Sequence, residues 1–100
     1  MDTWQSNYMT LRYQVRSPKG NLMTFVFRYQ YVGSTWRAYI VSSPSYAWRS
    51  SSLHCTHRLT DSNGYYICWN QNIQRLDDIT TVSKMWAEAT AKYIDYGTRF

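Results

Sequence analysis

Both cysteines and both histidines of the chain fall between His54 and Cys68. These side chains are common nucleophiles, proton-transfer groups and metal ligands in proteins. If the protein carries out chemistry, the sequence places that chemistry in this stretch. Asn63 and Gly64 lie inside it and form a strong turn signal, so the same residues also suit a β-hairpin whose cysteines fill core positions. Reactive thiols and core packing are therefore the two interpretations of the stretch.

The first possibility is a metal site whose ligands are His54, Cys55, His57 and Cys68. Zinc binds these residue types, but compact zinc sites present closely spaced pairs of ligands. Neighbouring residues on a strand point to opposite faces, so at most Cys55 and His57 share a face. Together with Cys68 they make three ligands without a fourth. The sequence therefore predicts no metal site, and it contains no glycine-rich phosphate-binding motif that would indicate a nucleotide cofactor.

The register of the expected hairpin decides what lies opposite Cys68. If Asn-Gly forms a two-residue turn, Cys68 faces Leu59, whereas a loop over residues 61–64 places it opposite His57. Neither register pairs Cys68 with Cys55, and thiols in the cytosol are normally reduced. We therefore expect two free thiols. In the second register a histidine lies beside a thiol, which favours the thiolate.

Alternation of apolar and polar residues predicts the elements that position these side chains. The strand-like segments are residues 11–15, 21–32 and 35–41, a fourth that starts near Leu53, and residues 65–69. Residues 78–96 follow the period of an amphipathic helix, with Asp77 or Asp78 as its N-cap and Gly97 at its end. The apolar faces of sheet and helix bury each other. The sequence thus predicts an α+β fold of two layers, in which an antiparallel meander of three or four strands packs against one long C-terminal helix, as a single domain over residues 1–100.

Composition restricts the partners and the compartment. The 100-residue chain has a formal net charge of +5, which favours anionic partners, although the basic residues are scattered along it. Its apolar runs fall far short of the roughly 20 residues that a membrane span requires. The residues after Met1 lack the basic start and apolar core of a signal peptide. We therefore expect a cytoplasmic protein that has no membrane partner.

The order of a strand meander, a long loop, a histidine-containing segment and then Gly64-Tyr65-Tyr66-Ile67-Cys68-Trp69 before a C-terminal helix resembles the core of ubiquitin-conjugating enzymes. In that family a histidine-led loop precedes a Gly-x-Ile-Cys type segment with the active cysteine, and Cys68 matches this cysteine. The C-terminal helix and the aromatic Phe100 look like the trailing part of shortened ubiquitin-conjugating-like proteins from bacterial antiphage operons. The resemblance covers roughly residues 11–100, and its sharp motif is Ile67-Cys68 after Gly64.

This resemblance implies a function for Cys68. As a thiolate it would accept an acyl group, the C-terminus of a ubiquitin-like protein, from an activating enzyme and pass it to an amine. His57 is the candidate that would stabilise the thiolate or take the proton of the thiol. The family's His-Pro-Asn signature corresponds to His57-Arg58-Leu59, so the amide that stabilises the oxyanion is expected from Asn63 or Asn70 if the fold brings either near Cys68. An inactive relative with a buried Cys68 is the alternative.

A non-enzymatic binding protein is the other class of function, and one candidate surface is the polar face of the sheet. The expected hairpin pairs Arg28 with Tyr39 and Gln30 with Arg37. Aromatic rings with cationic neighbours on a sheet suit single-stranded nucleic acid. This face is mixed rather than a basic stripe, so nucleic acid is the weaker of the two kinds of partner.

The second candidate surface is the serine-rich loop over residues 42–52, which carries Tyr46, Trp48 and Arg49. Aromatic anchors beside an arginine are the composition of a protein-interface hot spot. These residues therefore suit a protein partner that the chain inhibits or bridges. A loop that folds back over the edge of the sheet is the alternative.

Overall fold

The computed structural model describes residues 8–100, with only the backbone of Tyr8, as one antiparallel sheet covered by a long helix. In chain order the elements are β1 (Tyr8–Arg16), β2 (Leu22–Val32), β3 (Thr35–Ser42), α1 (Leu53–Thr56), β4 (Arg58–Asp61), β5 (Gly64–Ile67) and α2 (Leu76–Tyr96). The five strands lie in the order β1-β2-β3-β5-β4. The α+β fold of two layers that the sequence predicts is confirmed. The β4–β5 hairpin adds two strands to the β1–β3 meander and joins it through β5.

Strand β2 shows why the sheet has one apolar face. Its side chains alternate between buried and half-buried positions, and the buried ones are Met23, Phe25, Phe27 and Tyr29. Gly33, with φ of 64°, starts the two-residue turn into β3. Because that turn sets the register, Gln30 pairs with Arg37 and Arg28 with Tyr39, as the sequence predicts.

Helix α2 closes the core. The Trp86 ring meets the rings of Phe25 and Phe27 edge-on, each at 5.9 Å between centroids, a favourable geometry for aromatic pairs. Its indole N–H donates to the carbonyl of Thr56 at 2.9 Å, which ties the α1 turn to the helix. Among the described residues, no helix has both the length and the apolar character that crossing a membrane requires.

The ends of α2 follow the prediction at one end and depart from it at the other. Gly97 adopts φ of 73° and its N–H donates to the carbonyl of Tyr93, so the expected C-cap is confirmed. The helix begins at Leu76, and neither Asp77 nor Asp78 is its N-cap. Both carboxylates lie in the first turn instead, where negative charge interacts favourably with the helix dipole.

The predicted fourth strand near Leu53 is wrong. Leu53–Thr56 forms one helical turn, because Ser52 accepts a hydrogen bond from the Cys55 N–H at 3.2 Å. Serine favours such local capping over a strand ladder. His57 then adopts a left-handed φ of 51° and directs the chain into β4.

Candidate functional site

The β4–β5 hairpin determines the position of Cys68. Its pairs run from Asp61–Gly64 at the turn to Arg58–Ile67. One step further, the Cys68 N–H donates to the carbonyl of His57 at 2.9 Å. This is the register in which Cys68 faces His57, so the structure brings together two of the three side chains that the sequence assigns to catalysis.

Cys68 lies at an apolar groove between the end of the hairpin and α2. The groove has a volume of about 280 Å³ and is lined by His57, Ile67, Cys68, Trp69, Val82, Met85, Trp86, Ala89 and Phe100. The Cys68 residue is exposed, so the alternative of a buried core cysteine is wrong. The His57 ring stacks on Phe100 with 4.6 Å between centroids, which holds the imidazole at the rim of the groove.

Asn63, the third predicted catalytic residue, lies at the other end of the hairpin. It is exposed in the turn, where its backbone N–H donates to Asp61 Oδ1 at 2.7 Å. The length of β5, roughly 13 Å of extended chain, separates it from Cys68. The structure therefore does not bring the Asn63 amide to the thiol. Asn70 is exposed two positions beyond Cys68.

A second cleft, which we call the cationic cleft, shares His57 and Phe100 with the apolar groove. It has a volume of about 530 Å³, and its lining includes Trp48, Arg49, Ser50, His54, Cys55, His57, Tyr93, Gly97, Arg99 and Phe100. The sequence does not predict this site, because the strand expected near Leu53 includes Cys55, whereas Cys55 lies in the helical turn α1. The serines before Leu53 are the sequence feature that indicates the helical turn, because Ser52 caps it.

The surroundings of Cys55 favour its thiolate. Hydrogen bonds from the side chains of Ser52 and Ser50 hold the pKa of Cys55 below its usual value, against the opposing effect of burial. The positive charge of Arg99 lowers the pKa further. A lowered pKa increases the fraction of thiol present as the nucleophilic thiolate at neutral pH.

The Arg49 side chain binds the C-terminal end of α2. Its Nε donates to the carbonyl of Ile94 and its Nη2 to the carbonyl of Asp95, both at 3.0 Å. These bonds satisfy helix carbonyls that have no partner within the helix. The guanidinium also lies 4.1 Å from the ring of Trp48, so Arg49 connects the loop to the helix.

The other two loop residues differ in exposure. Tyr46 is 9% exposed and packs against Tyr93 at 6.2 Å between ring centroids. Trp48 is 82% exposed. The loop thus folds back onto the helix through Tyr46 while Trp48 points outward.

The sheet residues proposed for nucleic acid lie together but interact with one another. Arg37 Nη1 donates to Asp61 Oδ2 at 2.7 Å, and Tyr39 donates to the same oxygen at 2.8 Å. The guanidinium of Arg28 lies 4.9 Å from the centre of the Tyr39 ring. Tyr39 is 2% exposed, so its ring offers no free face for a base to stack on.

The acidic member of this cluster was not found from the sequence. Burial by itself would raise the pKa of Asp61, but hydrogen bonds from Tyr39 and from the Asn63 N–H, with the charge of Arg37, outweigh burial and lower it. No sequence pattern indicates this contact, because Arg37 lies on β3 and Asp61 on β4, and β5 lies between these two strands in the sheet.

Within residues 8–100, no three His, Cys, Asp or Glu side chains lie close enough together to hold a metal ion. Both cysteines are free thiols. Comparisons with protein-family models, curated proteins and solved structures find no match for this chain.

Proposed function

We propose that the protein is a diverged thioester carrier of the ubiquitin-conjugating type that acts in the cytoplasm through Cys68. The observation that carries the proposal is the exposed Cys68 residue beside His57, at the rim of an apolar groove. A carrier needs a thiol that a second protein can reach, and Cys68 meets this need. Its position after the last strand and before the long helix agrees with the resemblance seen in the sequence.

The proposed reaction is an exchange between thioesters. The Cys68 thiolate attacks the carbonyl carbon of an acyl group held as a thioester on an activating enzyme. A bond from Sγ to that carbon forms, the bond from the carbon to the donor sulfur breaks, and the donor leaves as a thiolate that takes up a proton. An amine of the acceptor then attacks the new thioester and releases Cys68 as the thiol.

His57 is proposed to take the proton of the Cys68 thiol before the attack. It is the imidazole that shares the apolar groove with the thiol, and its stacking on Phe100 limits the motion of the ring. A positioned base of this kind accelerates proton transfer by about 10² to 10⁴. Asn63 has no role in this proposal because it lies at the far end of the hairpin.

The proposed partners are a ubiquitin-like protein and its activating enzyme. The rim of the groove supports a protein donor, because Trp69, Met85 and Phe100 are exposed apolar side chains around Cys68. Exposed aromatic residues and methionines are enriched in protein interfaces. These side chains are proposed to contact the donor protein while its C-terminus reaches the thiol.

The test is acyl transfer from a short uncharged peptide whose C-terminus is activated as a thioester of the uncharged thiol N-acetylcysteamine, so that the cationic cleft has no anion to attract. We expect intact-mass spectrometry to detect an adduct that dithiothreitol removes and that Cys68→Ala abolishes. Cys55→Ala is the matched control and should keep the adduct. His57→Asn, which tolerates a left-handed φ, should slow its formation about 100-fold.

Two outcomes would contradict the proposal. One is equal acylation of Cys55 and Cys68, since this would mean that the thiols react only as free cysteines do. The other is a His57→Asn variant that keeps the wild-type melting temperature and the wild-type rate, which would remove the assigned base.

A further inference from the structure

The cationic cleft contains a thiol that the proposed function does not use. Cys55 is half-buried there, and the positive charge of the lining comes from two arginines, Arg49 and Arg99, beside the imidazoles of His54 and His57. Among the described residues, no Asp or Glu side chain lines the cleft. A cleft whose charged walls have one sign raises the local concentration of small ions of the opposite sign.

The hydroxyl groups around Cys55 are held in place by their own hydrogen bonds. Tyr93 donates to the carbonyl of Ser50 at 2.7 Å. The Ser52 N–H donates to Ser50 Oγ at 3.3 Å, and the Cys55 N–H donates to Ser52 Oγ. A hydroxyl oxygen that accepts one hydrogen bond can still donate its own proton. The serines are therefore positioned to donate to the thiolate, in agreement with the lowered pKa of Cys55.

The basic residues of the cleft differ in their freedom to meet a ligand. Arg49 donates two hydrogen bonds to carbonyls of α2. Arg99 and His54 are exposed, and Arg99 lies near enough to the thiol to lower its pKa. Trp48 adds an exposed aromatic wall. Arg99 is thus the cation best placed to bind an incoming anion.

We propose that the cationic cleft binds small anionic disulfides and that Cys55 is the thiol that reacts with them. The Cys55 thiolate attacks one sulfur of the disulfide, a new S–S bond joins Cys55 to that half, and the old S–S bond breaks. The other half leaves as a thiolate and takes up a proton from water. Cys55 is oxidised to a mixed disulfide and the leaving half is reduced. Disulfide exchange depends on the thiolate fraction and on access to the thiol.

The experiment compares two single-cysteine variants, Cys68→Ala, which keeps Cys55, and Cys55→Ala, which keeps Cys68. Each reacts with the dianionic 5,5′-dithiobis(2-nitrobenzoate) and with the neutral 4,4′-dithiodipyridine, and absorbance gives the second-order rate constants. We expect the ratio of the anionic to the neutral rate to be about three- to tenfold higher at Cys55 than at Cys68, the effect of roughly one contact charge in a solvated cleft. Added salt should reduce the difference.

Charge variants in the Cys68→Ala background identify the cause. Arg99→Gln removes a charge that lowers the pKa of Cys55, so both reagents should slow to the extent that the thiolate fraction falls. The anionic reagent should slow further, and the ratio of the anionic to the neutral rate at Cys55 should fall several-fold. Arg75→Gln is the matched control, because it removes the same charge from an exposed position at the start of α2 and should change neither rate. Equal anionic preference at the two cysteines, or equal effects of Arg99→Gln and Arg75→Gln, would overturn the inference. Neither result depends on whether Cys68 accepts an acyl group.

Discussion

At the scale of single residues, His57 connects the two thiol sites. It lines both the apolar groove and the cationic cleft. Its carbonyl accepts the Cys68 N–H, and its left-handed φ turns the chain from α1 into β4. A substitution at His57 therefore acts on both clefts as well as on the path of the chain. The reactivity of each cysteine is best measured in the variant that lacks the other one.

Tyr29 provides a prediction about the core. The residue is 2% exposed, and its hydroxyl bonds with Ser83 Oγ at 2.6 Å. Ser83 also donates to the carbonyl of Thr80, so it keeps a partner when the tyrosine hydroxyl is removed. Tyr29→Phe should therefore lower the free energy of unfolding by only about 1 kcal/mol, measured by urea denaturation.

Tyr31→Phe is the control for this prediction. Tyr31 is 44% exposed, and its hydroxyl donates to Gln74 at the surface. Water replaces that bond, so the loss should stay below about 0.5 kcal/mol. Equal losses in the two variants would show that the buried bond to Ser83 contributes nothing beyond a surface bond.

At the scale of elements, the C-terminus of α2 depends on a residue far from it in sequence. The last turn of the helix contains no basic residue, and Arg49 supplies the positive charge from the loop. Its two hydrogen bonds reach the carbonyls of Ile94 and Asp95. A cation at this end of a helix is favoured by the helix dipole. The loop therefore stabilises the helix whose residues line both clefts.

A pair of glycine variants measures this contribution. A Cβ at Gly97 would lie 2.7 Å from Arg49 Nη1, whereas one at Gly20 would meet nothing within 4 Å. Both glycines have positive φ, so alanine at either position should cost about 1 to 2 kcal/mol in backbone strain. Gly97→Ala should cost about 1 kcal/mol more, because Arg49 must give up hydrogen bonds to the helix.

Urea denaturation of both variants measures these losses. In an Arg49→Ala background the additional cost at Gly97 should disappear, because the side chain that the new Cβ would meet is absent. If the additional cost persists without the arginine side chain, then Arg49 is not its source.

At the scale of the whole molecule, Asp95 joins the two layers at one end. Its Oδ2 accepts the Lys19 N–H at 2.8 Å, which connects the turn between β1 and β2 to the last turn of α2. A hydrogen bond from Ser17, then the bond from the Lys19 N–H and the nearby positive charges, lower the pKa of Asp95 although burial opposes this.

This lowered pKa predicts how stability depends on pH. The contribution of Asp95 is complete above the unfolded-state pKa of about 3.9 and is lost as the pH falls through the lower folded-state pKa. Asp95→Asn should therefore be less stable than the wild type at pH 7, and the difference should shrink below about pH 4. Urea denaturation between pH 7 and pH 2 measures it.

Asp78→Asn is the control for the loss of one negative charge, since Asp78 is exposed in the first turn of α2; its loss at pH 7 should be limited to the interaction with the helix dipole, about 0.3 to 1 kcal/mol. Parallel stability curves for the wild type and Asp95→Asn down to pH 2 would contradict the prediction. That result would mean that Asp95 binds its proton equally well in the folded and unfolded chains.

Local patterns predicted most strands and the long helix, because the spacing of apolar residues that is typical of a strand or a helix is visible within a short stretch of sequence. The alternation in β2 and the helical period of α2 needed no knowledge of their partners. The prediction of a strand near Leu53 failed, since Ser52 caps a helical turn there and the residues do not alternate as in a strand.

The sequence by itself determined the α+β architecture and the β2–β3 register, because turn chemistry and periodicity act over short distances. Only the tertiary structure decided that Cys68 is exposed, that Asn63 lies away from it and that Cys55 shares a cleft with Arg49 and Arg99. Burial, the walls of a cleft and the surroundings of a thiol arise from residues that are distant in the chain. Their positions depend on how the helix and the loop pack on the sheet, which no local pattern records.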